Sequence, residues 1–288
     1  MKKYIYLLAI ILCLGCGRRE SRRLLFVSVE PQRAILEEIV GDKYEVETIL
    51  TPGMNPETFE PGIKARRKLE SATAYFPTGM LPFEQKLATT LGNRLPIVST
   101  TAGIEPVYGT HSHNHGDDGH GHSSEGNKGE ADPHVWTSVK NARLMAAEMV
   151  DFLKNTDPDN AGFYQANYLK LSNRLDSLDK AFALTLSQPD VQKSFAIWHP
   201  SLSYFARDYD LEQIAVGFEN KEMPASKLKQ IIEEARQDSV KVFFFQQEFD
   251  NRQAKTINAE MGTRLVTINP LDYDWEEQLR VVVSELCR

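Results

Sequence analysis

From Asp157-Pro158 to Gln188 the chain carries one helical pattern that holds no Gly or Pro from Phe163 onward. Asp followed by Pro reads as an N-cap with proline at the first helical position, where its missing N–H removes no bond. A helix of about 30 residues spans roughly 45 Å at 1.5 Å per residue. That is too long for a crossover inside one small domain. Residues 157–189 therefore read as a rigid helix joining two lobes.

The same kind of pattern stands on both sides of it. Before it, Leu24 to Val29 is an apolar run suited to a buried strand, and Pro31 opens a helix with Ile35, Ile39 and Val40 on one face. Tyr44 to Leu50 alternates as a strand. Arg66 to Ala74 reads as helix, Tyr75 to Pro77 as extended, Pro82 to Leu91 as helix, Pro96 to Ser99 as extended and Ala142 to Leu153 as helix. After it, Ser194 to Trp198 and Leu211 to Phe218 read as strands, and Pro224 to Arg236 as a helix. Lys241 to Phe245 is a central strand, Asp250 to Met261 a helix stopped by Gly262, Arg264 to Ile268 a strand, and Trp275 to Leu286 a closing helix. Strands alternating with helices predict parallel sheets with crossover helices. The expected class is α/β: two lobes with parallel sheets flanked by helices, residues 24–156 and 190–288, joined by one long rigid helix. A ligand cleft is expected between them, at the carboxyl ends of the strands.

The first fifteen residues are not fold material. Lys2 and Lys3 precede an apolar run from Tyr4 to Leu14, well short of the roughly 20 residues a spanning helix needs, so residues 1–15 read as an export signal. The run ends in Leu14-Gly15-Cys16, which resembles a bacterial lipobox, with Cys16 lipidated and residues 16–23 a charged tether. A plain cleaved signal is the alternative. Of three cysteines, only Cys287 then remains for a disulfide, so packing must hold the fold. A net charge of −7 argues against nucleic acid as a partner.

Of seven histidines, His111, His113, His115, His120 and His122 fall within twelve residues. Residues 109–131 have no aliphatic anchor and read as a long surface loop. Its imidazoles, with a reference pKa near 6.5, are mostly neutral at neutral pH. Ordering such a loop costs entropy, so several weak metal contacts are expected there rather than one tight site. Incidental affinity of a solvated loop is the bland alternative. The other two are His134, in Ala-Asp-Pro-His-Val-Trp, and His199, in Ala-Ile-Trp-His-Pro. Each stands beside Trp and Pro, one in each lobe, and His199 directly follows an apolar strand. A pair so placed favours metal ligation over a purely structural role.

Thr51-Pro52-Gly53-Met54-Asn55-Pro56-Glu57-Thr58-Phe59-Glu60-Pro61 resembles the P-G-x-D-P-H-x-Y-E-P motif of the zinc/manganese substrate-binding proteins of bacterial ABC importers. Asp132-Pro133-His134-Val135-Trp136 is similar to that family's D-P-H-x-W motif. His199, with Ser201 to Phe205, resembles the third motif, and Leu265 to Leu271 the closing strand. The likeness runs from about Leu25 to Leu286. Glu57 stands where the family has its first His, and Asn269 where the closing strand has Asp. The resemblance implies a metal set of Glu57, His134 and His199, completed by Asn269, Asp272 or water, with Glu60 nearby. Glu57 is read as a ligand, with an orienting role or a lost ligand as alternatives. Zinc accepts imidazole nitrogen at about 2.0–2.1 Å and carboxylate oxygen at about 2.0–2.2 Å; an oxygen-rich set also admits Mn²⁺ or Fe²⁺.

What the resemblance implies is a monomeric, lipid-anchored binding protein of the periplasm or cell surface. It would capture Zn²⁺ for an ABC permease and its ATPase, and would not be an enzyme. Two rivals stand beside it. A His₂Glu set with an open position also serves zinc hydrolases, although the chain has no H-E-x-x-H, G-x-S-x-G or P-loop. A surface adhesin or metal buffer without a permease is the other.

Overall fold

In the computed structural model, which describes residues 23–108, 130–217, 225–249 and 251–288, the strands gather into two all-parallel sheets. β1 (Arg23–Val27) is the centre of the first, between β2 (Tyr44–Thr48) and β3 (Ala74–Phe76). Leu25, Phe26 and Val27 are buried, as a central strand covered on both faces requires. Ile97 adds one parallel bridge to Tyr75, within the stretch read as extended. The crossovers are α1 (Glu30–Val40), α2 (Ile63–Leu69) and α3 (Pro82–Leu91), followed by α4 (Val139–Thr156). The export signal with Cys16, and the histidines of the 109–131 segment, lie outside the described residues.

α5 (Ala161–Leu186, 26 residues) is the expected long helix. The second sheet follows, in the order β5-β4-β6-β7. Its elements are β4 (Ser194–Ile197), α6 (Ser203–Asp208), β5 (Glu212–Ala215), α7 (Ala225–Gln237), β6 (Val242–Gln246), α8 (Asn251–Met261), β7 (Arg264–Ile268) and α9 (Trp275–Leu286). Gly262, at φ +70°, ends α8 as read, its N–H returning to the Asn258 carbonyl at 2.8 Å. Among the described residues no helix is long and apolar enough to cross a membrane.

Two readings need correction. The helix read at Arg66–Ala74 is α2, and it stops at Leu69, because Ser71 and Ala72 turn back onto the Lys68 and Leu69 carbonyls and Thr73 joins Leu24. Asp157 holds the N-cap position with Pro158 behind it as read, but of a 3₁₀ turn, and its side chain makes no capping bond. Its carboxylate instead takes the Tyr164 hydroxyl, Asn160 and Arg23, and Pro158–Asn160 form a short 3₁₀ turn before α5. α5 links the two halves as expected and packs against both. Its buried Tyr164, Leu171, Leu175, Leu178, Phe182 and Leu186 repeat at three, four or seven residues, one apolar stripe. That stripe packs on α1 and α4 of the first half and on α9 of the second, inside one apolar core that runs through both halves.

Candidate metal centre

Three chain segments converge on one cluster: the loop after β2, the stretch before α4 and the chain just past β4. Pro52 and Gly53 build a tight turn, closed by the Met54 N–H on the Thr51 carbonyl at 3.2 Å. Gly53 sits at φ +81°, a conformation that a side chain would strain. Asn55 Oδ1 then accepts the Glu57 N–H at 2.8 Å, an Asx turn that sets the direction of Glu57. Phe59 anchors the loop edge-on to Phe83, 5.3 Å between centroids.

Asp132 presents His134. Its Oδ1 accepts both the His134 N–H and the ring Nδ1–H, each at 2.8 Å, which fixes the tautomer and leaves the Nε2 lone pair toward the gap. Trp136 packs edge-on against the ring, and its Nε1 donates to the Pro270 carbonyl at 3.0 Å. His199 stands two residues beyond β4. Gln246, at the end of β6, accepts the His199 N–H at 3.2 Å and donates to the His199 carbonyl and to Ser201 Oγ. Gly217 passes so close to Trp198 that an added Cβ would lie 2.5 Å from its carbonyl oxygen. The backbone beside His199 is thus held from two neighbouring strands.

Glu57, His134 and His199 each offer one ligand atom, and these atoms all lie within 4.8 Å of one another. Glu57 Oε1 is 3.3 Å from His199 Nε2 and 4.0 Å from His134 Nε2, and the imidazole centroids are 5.1 Å apart. An ion bonded at about 2.1 Å to tetrahedral ligands sets them about 3.4 Å apart, so small side-chain rotations suffice. His134 and His199 are 2% and 7% exposed, which keeps competing water away.

The electrostatics are those of paired acids and imidazoles. Burial pulls the His134 pKa down, but Asp132, Glu57 and Glu248 outweigh it and leave it above the ordinary value. Burial raises Asp132 as well, and is outweighed by the His134 charge and by hydrogen bonds from His134 and Ser203, so it stays ionised far below the usual carboxylate range.

The residues expected to complete the set carry other partners. Glu60 is exposed and pairs with Lys86. Asp272 is outside the clustered group; it accepts Asn269 Nδ2 at 3.1 Å and the Asp274 N–H. Asn269 Oδ1 accepts the Leu271 N–H, so both ends of its amide serve its own turn. Sequence reading missed Gln246 and Glu248. The only signal was two polar residues followed by an acid after the apolar strand, a pattern that ordinary turns share.

The model of the family described as zinc-uptake complex component A, periplasmic, matches residues 25–280. The chain belongs to this family. Zinc-binding lipoprotein AdcA of Streptococcus pneumoniae is 28% identical over 295 residues, covering 97% of this chain and 57% of its own length. The chain spans about half the length of the AdcA relatives it matches. The crystal structure of ZnuA, 30% identical, superposes with a TM-score of 0.80 over 92% of this chain and 98% of that one. A ZnuA deletion mutant with zinc bound, 29% identical, gives 0.79 over 92% and 97%. Membership agrees with the fold: paired parallel sheets flanked by helices, with a long helix between them.

Proposed function

We propose that this protein captures Zn²⁺ between Glu57, His134 and His199 and delivers it to an ABC permease driven by its ATPase. The observation that carries the reading is the convergence of two buried imidazoles, one from each half, on one carboxylate. Two neutral nitrogens and an anionic oxygen suit zinc, and Mn²⁺ is the harder-ligand alternative. The protein acts as a binding protein without catalysis, as a monomer tethered through a lipid on Cys16 to the periplasmic or outer cell surface. Residues 24–156 and 190–288 form the two lobes around the 157–189 helix. The 109–131 histidines gather ions weakly, in addition to the tight site. Zinc-bound relatives and the acid-anchored His134 support this reading.

Metal content of protein purified without added metal, followed by Zn²⁺ titration against a chelator, tests it. One tight ion per chain is expected, and Glu57→Ala and His199→Ala should each weaken it more than about 100-fold, beyond the loss of an outer partner. A His199→Ala variant that keeps the wild-type affinity would overturn the assignment. Deleting 110–130 should remove weak sites alone.

A further inference from the structure

Glu248 stands two residues beyond the end of β6, on the turn that also carries Phe249. Its Oε2 is buried and has no hydrogen-bond partner among the described residues. Buried carboxylate oxygens are normally bonded, and an orphan one asks for a cation or a donor. The surroundings say which. Gln246, two residues back, clamps the backbone of His199. The Phe249 ring, one residue on, lies 5.4 Å from the His199 ring. The charge of Glu248 acts on His134, and that of His134 on Glu248. The carboxylate therefore lies within electrostatic reach of His134, on the turn whose Phe249 ring meets His199, and is supplied by the second half, while Glu57 comes from the first.

Charge gives the second argument. A divalent ion held by two neutral imidazoles and Glu57 keeps one positive charge within its own ligand shell, and the ionised Asp132 offsets it only from behind the His134 ring. Asn269 and Asp272 do not cancel it, because both are committed to their own turn. A second carboxylate in contact with the ion neutralises that ligand shell directly.

We propose, on the reading of the three-residue site as a metal centre, that Glu248 is the fourth ligand of the bound ion. In the present geometry it lies outside the three-residue cluster. A rotation of its side chain on the 247–249 turn completes the tetrahedron, with no movement of one half against the other. The resulting set of two nitrogens and two oxygens is harder than one built mainly from imidazole, so it discriminates less sharply between Zn²⁺ and Mn²⁺.

Full-length protein and its Glu248→Gln and Glu248→Ala variants are titrated with Zn²⁺ against a chromophoric chelator. The zinc complexes are then measured by X-ray absorption, and the Co²⁺ complexes by visible absorption. Both variants should bind Zn²⁺ more than about 100-fold more weakly, beyond the 10–100-fold expected of an outer partner. In Glu248→Ala the zinc should lose one protein oxygen and the cobalt bands should shift. Spectra that superimpose on wild type in Glu248→Ala overturn the proposal while leaving the three-residue centre standing. Absence of a 1:1 complex in the wild type overturns that centre itself. The turn is partly exposed, and melting of the metal-free variants at or above the wild-type temperature shows that the loss is of a ligand rather than of the fold.

Discussion

Asp132 acts on His134 twice, through the backbone N–H and through the ring Nδ1–H, so one carboxylate sets both the position and the basicity of a ligand. An Asp132→Asn variant keeps an acceptor of the same shape and loses the charge. Zn²⁺ affinity should fall about 10–100-fold, and in metal-free protein the His134 ring should titrate at lower pH than in wild type, because the acid that raises its pKa is gone. Chelator competition and imidazole NMR check the two halves of this expectation; an unshifted ring would mean that Asp132 is only a spacer. At this scale the sequence was legible where chemistry and local rigidity coincide. His134 and His199 each have Trp and Pro as neighbours, and Glu57 follows a Pro-Gly turn and an Asx-forming Asn55. Gln246 and Glu248 were not legible, because their roles come from the β4–β6 pairing, a contact between residues almost fifty positions apart. Asn269 and Asp272 show the converse: their bonds are local, and spacing from a strand end does not reveal that a turn holds both side chains.

The corner between α4 and α5 shows how an element boundary is fixed by a charge rather than by a cap. The Asp157 carboxylate takes the buried Tyr164 hydroxyl at 2.6 Å, Asn160 and Arg23, and the Tyr164 hydrogen bond leads the causes that hold its pKa below the ordinary value. A carboxylate whose folded pKa is depressed adds stability that is present above its unfolded pKa of about 3.9 and is lost as pH falls through the folded value. Asp157→Asn should therefore cost about 1–3 kcal/mol at pH 7, and the gap between the two melting temperatures should close as pH drops below about 4. A gap that persists unchanged at pH 3 would assign the stabilisation to shape alone. Helix and strand spans at this scale were readable from periodicity, and β7 and α9 occupy the residues read for them. The readings failed where long-range partners decide: Thr73 leaves the α2 pattern because Leu24 offers it a sheet bond, and the Asp157 side chain makes no capping bond because Tyr164 and Arg23 reach it.

For the whole molecule, the long helix matters less as a rod than as a shared wall. Its apolar stripe belongs to a core continuous through both halves, and polar ties cross between them: Trp136 to the Pro270 carbonyl, the Tyr204 hydroxyl to the Asp132 carbonyl, Tyr273 to Glu37, and Arg174 to both Glu38 and Glu276. Several of the ties are exposed and individually weak, so the core decides the energetics. Opening the halves enough to expose 200 Å² of apolar surface costs about 5 kcal/mol at 25 cal/mol per Å². A ligand shifts such an equilibrium only by its difference in affinity for the two states, and all three clustered ligands already lie within 4.8 Å of one another in one state. Metal binding thus has little to gain from a hinge. Small-angle scattering from metal-free and Zn²⁺-loaded protein should superimpose, with the site adjusting by side-chain rotation around Glu57, His134 and His199. A loaded form more compact by several ångströms would show that the continuous core yields to the ion, and release to a permease would then follow lobe opening instead of local movement beside His134.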